Sequence, residues 1–158
     1  MDTAWLSEQE REAWLGLIAV VELLPGVLET QLRRDSDLTH FEYFTLAMLS
    51  EAPDRTLRMT ELAGRTNATL SRLSHVVNRL EQRGLVHRFP CPEDRRATNA
   101  QLTEVGWDKV VEAAPGHVST VRESIFDAIT AEQVGQVAQI SAQILDRIDA
   151  EGIFYPRP

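Results

Sequence analysis

The sequence predicts a mainly α-helical chain with one small β-hairpin: a winged helix-turn-helix between long terminal helices that form a dimerisation region. Three observations carry this. A short and a longer helical pattern lie close together between Thr60 and Arg83. A strand–turn–strand pattern with adjacent arginines at its tip comes next and ends near Thr103. Long helix-period segments occupy both ends of the chain, and a domain of 158 residues is too small to bury both stripes fully.

In the longer helix, Ala68 to Arg83, Leu70, Leu73, Val76, Val77 and Leu80 recur at helical spacing and predict one apolar stripe. Ser71, His75, Asn78 and Gln82 share the opposite face, flanked by Arg72, Arg79 and Arg83. Asn67 and Thr69 are candidate N-caps, and Gly84 is placed to end the helix. A shorter helix begins at Thr60-Glu61-Leu62-Ala63, and the pair fits a helix-turn-helix. An amphipathic helix with a solvated polar face is also the commonest object in globular proteins, so this helix alone does not establish a function.

The segment after Gly84 adds weight. Leu85 to Phe89 reads as a strand, and Pro90-Cys91-Pro92-Glu93 interrupts it because proline cannot donate to a ladder. Asp94-Arg95-Arg96 forms the tip, and Ala97 to Leu102 returns as a second strand. Adjacent arginines on such a wing suit the DNA minor groove, where the negative potential attracts a guanidinium. Asp94 is acidic where the partner would be anionic, so it is expected to pair with an arginine and aim it. Serine, arginine and histidine near a recognition-helix start reach base edges, which selects Ser71, Arg72, Ser74 and His75. Asn78 and Arg79, further along, are assigned to phosphates. Thr69 is assigned to a phosphate at the helix N-terminus, and Arg95 and Arg96 to the wing.

The run GLVHR at 84–88, PEDRR at 92–96 and LT at 102–103 resembles the MarR family of transcriptional regulators. That family's wing carries Asp-x-Arg, five residues, then Leu-Thr; here Asp94, Arg96, residues 97–101, Leu102 and Thr103 match it. MTELAGRT at 59–66 and RLEQRGLV at 79–86 are similar to the family's two helices. The match covers about 45 residues, and the flanking helices agree in number and length only. The resemblance implies one domain over 1–158, with 39–102 as the DNA-binding unit and 7–38 with 103–158 as dimerisation helices. It implies a cytoplasmic, operator-binding repressor, with Arg96 as the wing arginine and Asp94 as its structural partner. It also implies an aromatic or phenolic effector site, for which Trp14, His40, Phe41, Phe44 and Trp107 are candidates. Aromatics at helical spacing are more often simply core.

Charge supports a local nucleic-acid footprint. The chain carries 16 basic and 24 acidic residues, a net −8. Between Arg58 and Ala100 eight basic residues face four acidic ones, a local +4, which leaves −12 elsewhere. Affinity for nucleic acid follows the local footprint that displaces counterions. A single cysteine excludes an internal disulfide and fits a reducing compartment. The N-terminal residues do not have the pattern of a signal peptide, and no apolar run near 18 residues is expected to span a membrane.

Residues 7–34 predict a long first helix with capping-box spacing from Ser7 to Glu10 and a kink or break at Pro25-Gly26. Residues 39–50 predict the second, capped by Thr39 and Glu42. Thr103 to about Ile129 predicts another long helix, bent or divided at Pro115-Gly116. Thr130 and Gln133 start the last helix, which runs to about Ala150, and the apolar tail residues Ile153, Phe154 and Tyr155 are expected to dock, on this subunit or a second. A two-fold dimer would place two recognition helices about one DNA turn apart and read an inverted repeat.

Enzyme readings find no support. His40, His75, His87 and His117 are scattered, without metal-ligand spacing to Cys91, and there is no phosphate loop or nucleophile elbow. No cofactor is expected. Two alternatives stand: a winged-helix protein-interaction module that does not touch DNA, and a redox-sensing regulator using Cys91. The first predicts an apolar or acidic recognition face, and the second needs a reactive thiol.

Overall fold

The computed structural model describes residues 4–156. Helix α1 spans Glu8–Ser36, α2 His40–Glu51, α3 Met59–Arg65, α4 Leu70–Gln82, α5 Glu104–Ser124 and α6 Ala131–Ile148. Strands β1 (Thr56–Arg58), β2 (Val86–Pro90) and β3 (Thr98–Leu102) form an antiparallel sheet in the order β1-β3-β2. The hairpin expected from the sequence is β2–β3. The added strand β1 pairs Leu57 with Ala100 and was too short to announce itself.

Capping decides where the helices begin. Full capping boxes close α1 (Ser7 with Glu10), α2 (Thr39 with Glu42) and α6 (Thr130 with Gln133). The core lies under α4: Leu32, Leu46, Leu49, Leu62, Leu73, Val77, Leu80, Val86 and Ala100 are buried together. The winged unit is thereby fused to the C-terminal end of α1 and to α5, rather than tethered by a linker.

Three expectations need correction. Both long helices continue through their prolines, Pro25 in α1 and Pro115 in α5. A proline removes one donor, and the rest of a long ladder persists when packing holds it. Here α1 and α5 cross closely at Gly116, where a Cβ would lie 2.9 Å from Gln31 Nε2. In the turn after α3, Asn67 takes a positive φ of 48° and does not cap α4; the cap is Thr69, whose hydroxyl accepts from the Arg72 amide at 3.2 Å. Leu70 is not in the core stripe: it is the first residue of α4 and 47% exposed. By length and composition alone α1 could also cross a membrane, and little of that stretch is buried within the chain, but Glu22 and Glu29 interrupt it, as the sequence shows.

The exposed apolar surface is concentrated on the terminal helices. On α1 Trp14, Leu15, Leu17, Val20, Val21, Leu23 and Val27 face outward, and on α6 Val137, Ile140, Ile144 and Ile148 do so.

Candidate nucleic-acid interface

Helix α4 is pinned from both ends. Thr69 caps its start, and Gly84, with φ of 73°, ends it while its amide donates to Glu81 O at 2.9 Å. The Leu85 amide returns to Leu80 O at 3.0 Å, which satisfies the last turn and launches β2. Buried Leu73, Val76, Val77 and Leu80 hold the inner face. Ser71, Arg72, His75, Asn78 and Arg79 are exposed on the outer side, and Ser74 is half-buried beside the wing.

The wing is built mainly from backbone bonds. Cys91 N donates to Ala97 O at 2.9 Å, and Ala97 N to Asp94 O at 2.9 Å. The Asp94 carboxylate accepts from the Arg96 backbone amide at 3.1 Å. The expected strut therefore acts on the main chain: no Asp94–arginine ion pair occurs among the described residues. Arg95 and Arg96 remain exposed. At the wing's base, the Thr103 hydroxyl donates to Gly84 O at 2.7 Å, and Gly106 lets α5 approach the Leu85 carbonyl where a Cβ would clash.

A cleft of about 180 Å³ joins the two elements, lined by Met59, Thr60, Leu70, Ser74, Arg88, Arg96, Ala97 and Thr98. It brings Arg96 of the wing to the same opening as Ser74 near the start of α4. Sequence reading missed Thr60, Leu70 and Arg88. Leu70 was hidden because its spacing fits the apolar stripe, and Arg88 because it reads as an ordinary strand residue.

The cations on α4 are not all free. The Arg72 guanidinium lies 4.2 Å from the Phe41 ring centre, a cation–π contact. Arg79 and Arg83 reach the buried Glu42 carboxylate at 3.5 and 3.8 Å. Arg88 bonds Glu81 and donates to Asn78 Oδ1 at 3.1 Å. The Arg88 backbone amide, first, and its guanidinium hold the Glu81 carboxyl below its ordinary pKa.

Comparison with known proteins decides the lineage. The MarR family model matches residues 38–98. A MarR family transcriptional regulator from Streptomyces coelicolor, Sco3205, solved in complex with DNA, is 41% identical; the match covers 92% of this chain and 91% of that one, with a TM-score of 0.86. AbsC, from the same organism, is 35% identical over 94% of this chain and 99% of its own, with a TM-score of 0.87. This chain belongs to the MarR family. The transcriptional repressor YetL of Bacillus subtilis is 25% identical over 137 residues, covering 87% of this chain and 81% of YetL. These relatives are transcriptional regulators and not enzymes.

The five candidate effector residues of this MarR-family chain occupy α1, α2 and α5. Trp14 is exposed on α1, Phe41 lies under Arg72, and Trp107 lies under Arg55 at 4.1 Å. His40 and Phe44 stack at 6.3 Å. A larger cleft of about 540 Å³ opens between Glu29, Phe41, Arg72, His75 and Arg79, and only Phe41 of the five lines it. Burial lowers the pKa values of His40 and His117, and the Nδ1 atom of each is buried without a hydrogen-bond partner. Cys91 is buried, 5% exposed, which removes the access that a thiol sensor requires.

Proposed function

We propose that this regulator is a repressor that binds double-stranded DNA as a homodimer. One α4 per subunit would enter the major groove, with Ser71, Ser74 and His75 toward base edges. Leu70 would face a thymine methyl, the apolar contact that groove offers. Arg72 would join Ser71, Ser74 and His75 at the base edges, Thr69, Asn78 and Arg79 would hold the backbone, and Arg95 and Arg96 would enter the adjacent minor groove. The observation that carries this reading is the shared cleft of α4 and the wing, which places Arg96 and Ser74 at one opening. A protein-interaction module would not need that basic opening.

The partner subunit is inferred from the open apolar faces of α1 and α6. Glu22 and Glu29 interrupt the apolar surface of α1, which suits a protein partner better than a bilayer. The chain would then divide into 39–102 as reader and 7–38 with 103–158 as dimerisation region. A second two-fold copy sets two recognition helices about one DNA turn apart, so the operator is an inverted repeat.

The test is DNA affinity as a function of salt. A footprint that neutralises phosphates gives a steep negative slope of log K against log salt, roughly −0.9 per phosphate contact. A flat dependence with no sequence preference would reject the proposal in favour of the interaction module.

A further inference from the structure

The C-terminal tail joins α6 to the helix-turn-helix. After α6 the chain reverses about one side chain. Asp149 Oδ1 accepts from the amides of Ile153 and Phe154 at 2.9 and 3.3 Å, and Oδ2 accepts from the Tyr155 amide at 2.9 Å. Gly152, with φ of 64°, permits the reversal, and its amide donates to Asp149 O at 2.9 Å. The carboxylate thus gathers three otherwise free donors and gives a short tail one conformation.

That conformation lands on the reader. Ile153 Cγ2 lies 2.6 Å from where a Cβ on Gly64 would be, so that either side must shift to admit one. Gly64 sits inside α3, where glycine is less favourable than alanine, and its φ is not positive. It therefore has no turn to explain it, whereas the seat for Ile153 does. Phe154 meets the Phe44 ring of α2 at 5.9 Å with a 59° tilt. Val21, Leu145 and Ile148 complete the same apolar groove beside Ala63 and Gly64. One end of this link is α6, whose outer face is open for a second copy. The other end is α3, which packs on α4.

We propose that residues 149–155 form a strut that transmits the position of α6 to α3, with Asp149, Gly64, Ile153 and Phe154 as positioning residues that fix the spacing of two recognition helices. This rests on the dimeric DNA-binding reading above. The strut adds a second connection to the one made by α1 and α5, so the reader is held at two points and resists rotation about the first. Removing it leaves the dimer and the reader folded and widens the range of half-site spacings tolerated.

Two measurements test this at equal protomer concentration. The first is thermal unfolding of the wild type, Gly64→Ala, Ile153→Ala and the double variant. The strut requires that Gly64→Ala lowers Tm in the wild type and raises it beside Ile153→Ala, where the methyl has room and only the helix preference remains. Additive shifts overturn the contact. The second compares operators whose half-sites are moved apart or together by single base pairs, using wild type and Ile153→Ala/Phe154→Ala, with sedimentation to show that the dimer persists. The wild type should lose affinity severalfold at each altered spacing, and the double variant should lose clearly less. Identical spacing profiles overturn the strut. If the wild type retains no sequence from a random DNA pool, the DNA-binding reading and the spacing role both fall, and the unfolding cycle alone judges the contact.

Discussion

Removal of the Arg96 side chain separates folding from DNA contact, because the wing turn does not use it. The Asp94 carboxylate binds the Arg96 backbone amide, and the neighbouring turn bonds run between Cys91, Asp94 and Ala97 main-chain atoms. Arg96→Ala keeps all of them, so the stability change should stay within about 0.5 kcal/mol. The guanidinium itself is exposed beside the cleft that Ser74 and Leu70 share. A guanidinium contact to DNA contributes roughly 1–3 kcal/mol. Two copies in a dimer lose ~2–6 kcal/mol, from about 30-fold to on the order of 10⁴-fold in affinity. The salt slope should also flatten by about two for the pair. Fluorescence anisotropy on a selected operator at several salt concentrations reads both quantities, with sedimentation as the control for assembly. Affinity within about twofold of wild type, at an unchanged slope, would refute the assignment of the wing to DNA.

The geometry fixes three further outcomes. Ile144→Asp puts a charge on the open face of α6 and should give a folded monomer in sedimentation velocity, with helical circular dichroism retained. Leu46→Ala empties a fully buried site beneath α4 and should cost ~2–5 kcal/mol in urea unfolding. His40 and His117 have pKa values lowered from 6.5, first by burial. Below pH 6.5 the unfolded chain therefore binds protons that the native state refuses, so stability falls as pH drops and levels off below the folded values. His117→Gln should flatten that part of the urea-midpoint profile, and an unchanged profile would assign the pH dependence to other groups.

The helix starts and the wing were legible in the sequence because each rests on a local rule. Ser7, Thr39 and Thr130 sit three residues before the Glu or Gln that completes each box. The Asp94-to-Thr103 spacing placed the hairpin tip and the start of α5. Tertiary contacts hid the rest. Pro25 and Pro115 read locally as breaks, yet both helices continue: α1 packs closely on α5 beside Pro115 at Gly116, while at exposed Pro25 only one donor is lost from a long ladder. Leu70 obeys the helical period, but the period does not say where the core ends, and the first turn of α4 projects beyond it. Three-residue β1 has no pattern of its own and exists because β3 offers it an edge. In the candidate interface the residue types were legible and their partners were not. Asn78 lies on the polar face that Arg72 and Arg79 flank in sequence, while Arg88, Phe41 and Glu42 reach them from other elements.

Two copies of α4 held at one fixed separation, reading a symmetric site, are the core of the proposed function. Selection of bound sequences from a random double-stranded DNA pool tests it most directly. A fixed separation requires an enriched inverted repeat with half-site centres about 10 base pairs apart, protected by a protein that sediments as a dimer. Enrichment of a single half-site without symmetry, or of no sequence at all, would contradict it.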